Sequence, residues 1–265
     1  MEQRDVHLRG RRFSYVDFGG DGEPIVALHG TFGRGRTFAD LASRLAPAYR
    51  VIALDQRGHG LSQRGGAFGR DEFVGDTAEF IRHLGLQRTI VLGHSLGGVN
   101  AYQLAARHPE LVRALAVADI GAVTDSTEVP NPIVDVSGWP RTAASREELE
   151  ASYLELGLPA PDYFLDSVVE EDGQWRMAFD HDDMMATQHC NLGSWWEDWT
   201  SSTCPALLVR AANSSLLLRA MAERMARQRP DTTLVELPGT GHWLYQDDPA
   251  GFALAVERFL SRAAR

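Results

Sequence analysis

The chain contains no lysine: all 26 basic residues among its 265 are arginine. This absence excludes Schiff-base catalysis, serine–lysine pairs and the phosphate-binding P-loop, because each of these needs a lysine side chain. The 36 acidic residues bring the formal net charge to −10. An excess of negative charge disfavours non-specific binding to nucleic acid, so the sequence predicts no nucleic-acid partner.

Cysteine is scarce, and long apolar runs are missing. The two cysteines, Cys190 and Cys204, favour a reduced intracellular protein over a disulfide framework. No apolar run reaches the length of a membrane span, and the N-terminal stretch MEQRDVHLRGRR has no apolar signal core. The sequence therefore predicts a cytoplasmic protein without membrane contact.

Short apolar runs that end in glycine-rich polar sequence alternate with helix-like stretches over the first 120 residues. This alternation is typical of right-handed βαβ crossovers and a doubly wound, mostly parallel sheet. The strand-like runs are RRFSYVDFG (an antiparallel strand at a sheet edge), EPIVALHG, YRVIALDQRGHG, TIVLGHS and RALAVADIG.

The alternation stops after residue 122 and returns with CPALLVRAANSS near residue 204. The sequence predicts an α/β fold with a core of residues 1–122 and 201–265. A mostly helical cap, residues 123–200, is predicted as an insertion after the sixth strand. Residues 124–200 carry 17 acids and 3 arginines, a charge that disfavours anionic substrates.

The stretch TIVLGHSLGG carries the motif G-x-S-x-G between a strand and a helix. In that context the glycines allow a tight, strained turn that exposes the central serine at the carboxyl end of the sheet. Ser95 is therefore the candidate nucleophile. The backbone N–H of Leu96, at the start of the helix, is predicted to bind the developing oxyanion.

A serine nucleophile needs a base, and His242 follows the last apolar strand, in TLVELPGTGHWLY. Its position predicts that it lies at the same sheet edge as Ser95. Thr31, directly after the pair His29-Gly30, is the candidate for the second oxyanion donor. His181 and His189 match no metal-ligand spacing, so no metal site is predicted.

These motifs resemble the α/β-hydrolase superfamily over nearly the whole chain. His29-Gly30, DQRGHGLS at residues 55–62, GHSLGG at residues 93–98 and Gly241-His242 occur in the order and spacing of that superfamily. The resemblance implies a Ser–His–acid triad, no cofactor and a cap over the pocket.

The acid is less evident than the serine and the histidine. In this superfamily it follows the sixth or, more often, the seventh strand, yet Ser215 occupies the usual position in the turn after PALLVR. Asp119, which ends the preceding strand, is predicted to orient His242 instead. Asp125 and Asp247 are the alternatives.

Aromatic residues predict the character of the substrate pocket. The candidate contacts are Phe32, His94, Trp139, Trp196 and Trp243, a set that predicts a mostly apolar pocket. The predicted partner is a small, uncharged, hydrophobic acyl compound, cleaved as an ester, lactone or thioester. Three alternatives remain open: a carbon–carbon bond hydrolase, a cofactor-free dioxygenase that uses the His–Asp pair, and a non-catalytic binding protein of the same fold.

Overall fold

An eight-stranded sheet organises the chain, seen here in a computed structural model that describes residues 1–157 and 161–263. Its order is β1-β2-β4-β3-β5-β6-β9-β10, and all neighbours from β4 to β10 are parallel. The remaining two strands, β7 and β8, form a separate antiparallel pair. The strands are β1 (Glu2–Leu8), β2 (Arg11–Asp17), β3 (Glu23–Leu28), β4 (Tyr49–Leu54), β5 (Thr89–His94), β6 (Val112–Ala118), β7 (Val168–Glu171), β8 (Gln174–Met177), β9 (Ala206–Ala211) and β10 (Thr232–Leu237).

Helices cover both faces of this sheet. They are α1 (Ala39–Leu45), α2 (Arg70–His83), α3 (Leu96–Arg107), α4 (Arg146–Glu155), α5 (Pro161–Leu165), α6 (His181–Cys190), α7 (Trp196–Ser201), α8 (Arg219–Gln228), α9 (Leu244–Asp247) and α10 (Pro249–Ala263). The α/β-hydrolase fold predicted from the sequence is confirmed.

The two-residue period of the strands explains why the apolar runs are continuous. In β3, Ile25 and Ala27 join the apolar cluster that also contains residues of α1 and α10. Val26 and Leu28 point to the other face, where α2, α3 and α8 pack. A strand buried on both faces needs apolar side chains at every position, which gives the uninterrupted apolar run IVAL at residues 25–28.

The structure corrects one expectation about strands. RRFSYVDFG forms β2, but the sheet edge is β1, which pairs antiparallel with β2. Most of β1 is exposed and polar, with only Val6 and Leu8 buried, so it lacks an apolar pattern.

The segment 123–200 contains one hairpin beside its helices. Its strands β7 and β8 pair around Asp172-Gly173, both at positive φ. An Asp-Gly pair between short runs is a typical hairpin signal.

Residues 123–200, called the insert below, lie between β6 and β9, and two of their helices, α4 and α6, begin at side-chain caps. Ser145 Oγ accepts a hydrogen bond from the Glu148 amide at the start of α4. Asp180 does the same for Asp182 and Asp183 at the start of α6. Such caps satisfy amides that have no partner within the helix. The division into core and cap stays a prediction.

None of the helices among the described residues is both long and apolar enough to cross a membrane.

Candidate active site

Ser95 lies on a strained turn between β5 and α3. Its φ of 52° and ψ of −119° are rarely adopted by a residue with a side chain. The turn requires glycine nearby, because a Cβ atom on Gly97 would collide with the backbone carbonyl of Leu28. The strain holds the serine side chain at the carboxyl end of the sheet, next to the amino end of α3.

Asp119 and His242 form a hydrogen-bonded pair beside this turn. Asp119 follows β6 and is completely buried, whereas the His242 side chain is 15% exposed. Asp119 Oδ2 lies 2.8 Å from His242 Nδ1, and its Oδ1 accepts a hydrogen bond of 2.9 Å from the Ala211 amide. A carboxylate oxygen only accepts, so Nδ1 carries the proton and Nε2 is free to take another.

Ser95 and His242 line one cavity. Among the hydrogen bonds of the described chain, none joins Ser95 Oγ to His242 Nε2. Catalytic hydrogen bonds are often long or misaligned in an empty site and shorten when substrate binds. The structure therefore brings all three predicted triad residues together, with only the His242–Asp119 contact already formed.

Two backbone segments meet where an oxyanion would form. The amides of Gly97 and Gly98 already donate hydrogen bonds to the carbonyls of His29 and Ser95. The Leu96 amide, next to Ser95 at the start of α3, is therefore the candidate donor to an oxyanion. From the other side, the loop at Gly30 runs so close to Ser95 that a Cβ on Gly30 would lie 3.1 Å from the serine Cβ. Thr31 follows Gly30 and lines the cavity.

His94 supports the loop that carries His242. Its Nε2 donates a 2.8 Å hydrogen bond to the backbone carbonyl of His242, and the centroids of the two rings are 4.6 Å apart. Burial, followed by the nearby His242, lowers the pKa of His94 well below its usual range. His94 is thus a neutral neighbour of the candidate base, and it also lines the cavity.

The cavity has a volume of about 140 Å³ and is enclosed by core and insert together. Among the described residues, its lining contains hydroxyls, carboxamides, two histidines and apolar side chains but no arginine, aspartate or glutamate. The lining residues are Thr31, Phe32, His94, Ser95, Ile120, Thr124, Val129, Asn131, Pro132, Val134, Phe164, Gln188, Asn191, Leu192, Leu216, His242 and Trp243.

Comparison with known proteins identifies the family. Residues 25–256 match the model of the alpha/beta hydrolase family. The chain belongs to this family. The resemblance noted from the sequence motifs is thereby confirmed.

The relatives of this hydrolase are named as lipases, esterases and other hydrolases. The mouse sn-1-specific diacylglycerol lipase ABHD11 is 27% identical over 98% of this chain and 88% of its own length. The crystal structure of E-2-(acetamidomethylene)succinate hydrolase superposes with a TM-score of 0.89 at 26% identity, covering 98% of this chain and 99% of the other. A marine microorganism esterase gives a TM-score of 0.81 at 27% identity, covering 93% and 98%.

Two of the predicted substrate contacts of the hydrolase do not line the cavity. Trp139 stacks behind Phe32, with ring centroids 5.8 Å apart, and supports the lining from outside. Trp196 faces α8, where the Arg224 guanidinium lies 4.3 Å from its ring centroid. The expectation for Trp196 is corrected, because the orientation of α7 turns this residue toward a neighbouring helix. Phe32 and Trp243 line the cavity as expected.

The insert also contributes polar residues to the cavity, and no sequence motif indicates them. Gln188 binds both backbone groups of Val134 through its carboxamide and so fastens the 129–134 loop. Asn191, at the end of α6, lines the cavity, and its buried Oδ1 has no hydrogen-bond partner. A buried polar atom without a hydrogen-bond partner is uncommon in a folded protein. The presence of an asparagine in the sequence does not indicate that its oxygen will be left without one.

Proposed function

We propose that the protein is a serine hydrolase that cleaves an ester, lactone or thioester of a small, uncharged, hydrophobic substrate. The observation that carries this proposal is the 2.8 Å hydrogen bond between His242 and the buried Asp119, beside a cavity that the strained Ser95 also lines. The lipase and esterase names of its relatives agree with this class of reaction.

In the proposed cycle, His242 Nε2 accepts the proton of Ser95 as Oγ attacks the substrate carbonyl. The amides of Leu96 and Thr31 bind the oxyanion of the tetrahedral intermediate. His242 then gives its proton to the leaving group, which departs as an alcohol or thiol and leaves an acyl-serine. Water, deprotonated by His242, attacks this acyl group, and His242 returns that proton to Ser95 Oγ as the carboxylic acid leaves. Asp119 stabilises the imidazolium in both halves of the cycle.

The size and charge of the cavity support the substrate class. Its volume of about 140 Å³ is similar to that of a buried protein cavity that binds benzene. A substrate such as a succinate, named for one structural relative, carries two carboxylates and would need cationic partners. The chain has no lysine, and within the part of the chain that the structure describes no arginine lines this cavity. We therefore propose a neutral substrate, held between the core and the insert as its cap.

Fluorophosphonate labelling tests the proposal directly, with the adduct detected by intact mass. We expect rapid labelling of the wild type and none of Ser95→Ala, with circular dichroism showing that both are folded. A folded wild type that stays unlabelled would refute the proposal and favour a protein in which the His242–Asp119 pair acts without an activated serine.

A further inference from the structure

Arg70, the first residue of α2, is a buried cation whose side-chain hydrogen bonds go only to neutral groups. The residue is 8% exposed. Its Nε donates to Gln103 Oε1 at 2.9 Å, its Nη2 donates to Asn100 Oδ1, and its Nη1 has no hydrogen-bond partner among the described residues. Arginine is rarely buried without an acidic partner, because removing the charge from water is costly. The rings of Phe73 and Trp195, with centroids 5.6 and 5.8 Å from the guanidinium carbon, offset part of this cost. Gln103 in turn donates from Nε2 to Asp198 at 2.9 Å.

The bonds of Arg70 continue toward the candidate active site. Asn100, on α3, donates from Nδ2 to Gln56 Oε1 at 2.5 Å. Gln56, after β4, donates from Nε2 to the backbone carbonyl of His29 at 2.6 Å and from its own amide to His29 Nε2 at 3.0 Å. A continuous series of buried hydrogen bonds, called the relay below, thus joins Arg70 through Asn100 and Gln56 to His29.

The relay has only one possible direction. A guanidinium has donors and no acceptor, whereas a backbone carbonyl only accepts. Each carboxamide between these two ends must therefore place its oxygen toward Arg70 and its NH₂ toward His29. Because Arg70 can only donate, a flipped carboxamide at Asn100 or Gln56 would place two donors or two acceptors against each other.

The relay ends at the peptide groups beside Thr31. His29 Nε2 accepts from Gln56, so the ring proton is on Nδ1, which donates to the Gly30 carbonyl at 2.8 Å. That carbonyl belongs to the same peptide group as the Thr31 N–H. The His29 carbonyl also accepts from the Gly97 amide at 3.1 Å. Gln56 thus sets the tautomer of His29 and ties the Thr31 loop to the helix that follows Ser95.

We propose that Arg70 is a positioning residue that, through Asn100 and Gln56, orients the loop carrying the Thr31 amide toward the oxyanion. The inference rests on the proposed function, since it concerns the oxyanion donors of that reaction. Hydrogen bonds in a low-dielectric interior polarise one another, so a cation at the head of the relay strengthens every bond down to the loop.

Asn100→Asp is the decisive variant. The new carboxylate would form an ion pair with Arg70 but has no N–H for Gln56, so it improves the burial of the cation while breaking the relay. Loss of a complete oxyanion donor reduces kcat by about 10²–10³. For misplacement of Thr31 we expect a fall of about 10- to 100-fold in kcat, with KM nearly unchanged. The rate of fluorophosphonate labelling at Ser95 should fall in parallel.

Gln103→Glu is the matched control: it places a carboxylate against the same guanidinium and leaves the bonds from Asn100 to His29 intact. Because it also replaces the Gln103 Nε2 donor to Asp198 Oδ2 at 2.9 Å, circular dichroism should first show that this variant is folded. We expect its kcat to stay within about threefold of the wild type. Arg70→Ala provides an independent test, since guanidinium at millimolar concentration should restore part of its lost kcat. An equal concentration of sodium chloride should not.

The outcomes separate the relay from the proposed function. If the wild type is labelled and Asn100→Asp retains wild-type kcat, or if Gln103→Glu is as impaired as Asn100→Asp, the relay is refuted and the hydrolase remains. If Arg70→Ala is folded and impaired but guanidinium has no effect, the positioning role of the cation is refuted. An unlabelled wild type would instead refute the proposed function itself.

Discussion

Replacing Asp119 with asparagine tests the proposed acid most sharply, because the structure dictates how the new side chain would sit. Asp119 Oδ1 accepts from the Ala211 amide, and Oδ2 faces His242 Nδ1. An asparagine has one oxygen and one NH₂ for these two partners. With the NH₂ toward Ala211, two buried donors would face each other at a cost of about 1–3 kcal/mol. The oxygen therefore stays with Ala211, and the NH₂ turns to His242.

This orientation of the asparagine reverses the tautomer of His242. His242 Nδ1 must then accept, so the ring proton moves to Nε2, which can no longer take the proton of Ser95. In serine proteases the equivalent change lowers kcat by about 10⁴ through the same change of tautomer, or about 5 kcal/mol of transition-state stabilisation. We expect a loss of about 10³–10⁴ in kcat for Asp119→Asn, with a fold and a cavity like those of the wild type.

The assay is the hydrolysis of a p-nitrophenyl ester together with the rate of fluorophosphonate labelling. Asp247→Asn is the matched control, because this carboxylate accepts a 2.6 Å hydrogen bond from the Gly241 amide, one residue from His242. Ser215→Ala covers the position where the acid stands in most of the superfamily. Both controls should retain activity within about tenfold. An Asp119→Asn enzyme with near wild-type kcat, or an Asp247→Asn enzyme that is equally impaired, would refute the assignment.

Three further predictions concern stability and selectivity. Burial lowers the pKa of His59 to about 4 in the folded protein, against about 6.5 in the unfolded chain. The neutral ring therefore stabilises the folded state above pH 6.5. This contribution, about 3 kcal/mol, is lost as the pH falls from 6.5 to 4. His59→Gln should make the free energy of unfolding, measured in urea, less dependent on pH in that window. An unchanged dependence on pH would contradict the lowered pKa of His59. Asp76→Asn should lower the free energy of unfolding by about 3–5 kcal/mol. The reason is that the buried Arg57 would lose its bidentate carboxylate partner, at 2.8 and 2.9 Å. A loss below about 1 kcal/mol would contradict a stabilising role for this ion pair. Asn191→Leu should raise kcat/KM for p-nitrophenyl alkanoates relative to matched ω-hydroxyalkanoates, and an unchanged ratio would show that its carboxamide does not contact the substrate.

The sequence predicted the core because each of its central strands leaves a local pattern. A strand buried on both faces must be apolar throughout, and the polar residue that follows it is placed at the carboxyl edge of the sheet. Ser95, Asp119 and His242 all directly follow such runs or their glycine-containing turns. Their meeting at one edge follows from the parallel topology, without knowledge of any side-chain contact.

The insert was predicted less well, because its side chains are placed by contacts between distant segments. Trp196 and Trp139 are both aromatic residues of the insert, yet one packs against Arg224 of α8 and the other behind Phe32. No spacing within the insert distinguishes these positions. The unpartnered carboxamide of Asn191 is equally invisible in the sequence, because whether a polar group is satisfied depends on every element around it.

The turn after β9, where most of the superfamily carries the acid, has a different role in this protein. Ser214 Oγ accepts hydrogen bonds from the amides of Leu216 and Leu217, so this turn is closed by a serine and carries no carboxylate. β6 lies next to β9 in the sheet, and the carboxylate of Asp119 reaches across to bond the amide of Ala211, the last residue of β9. The charge is therefore placed at the end of β9 although its residue belongs to β6. An acid that follows β6 thus reaches the end of β9 through its own side chain, and in the proposed triad it orients His242 from there.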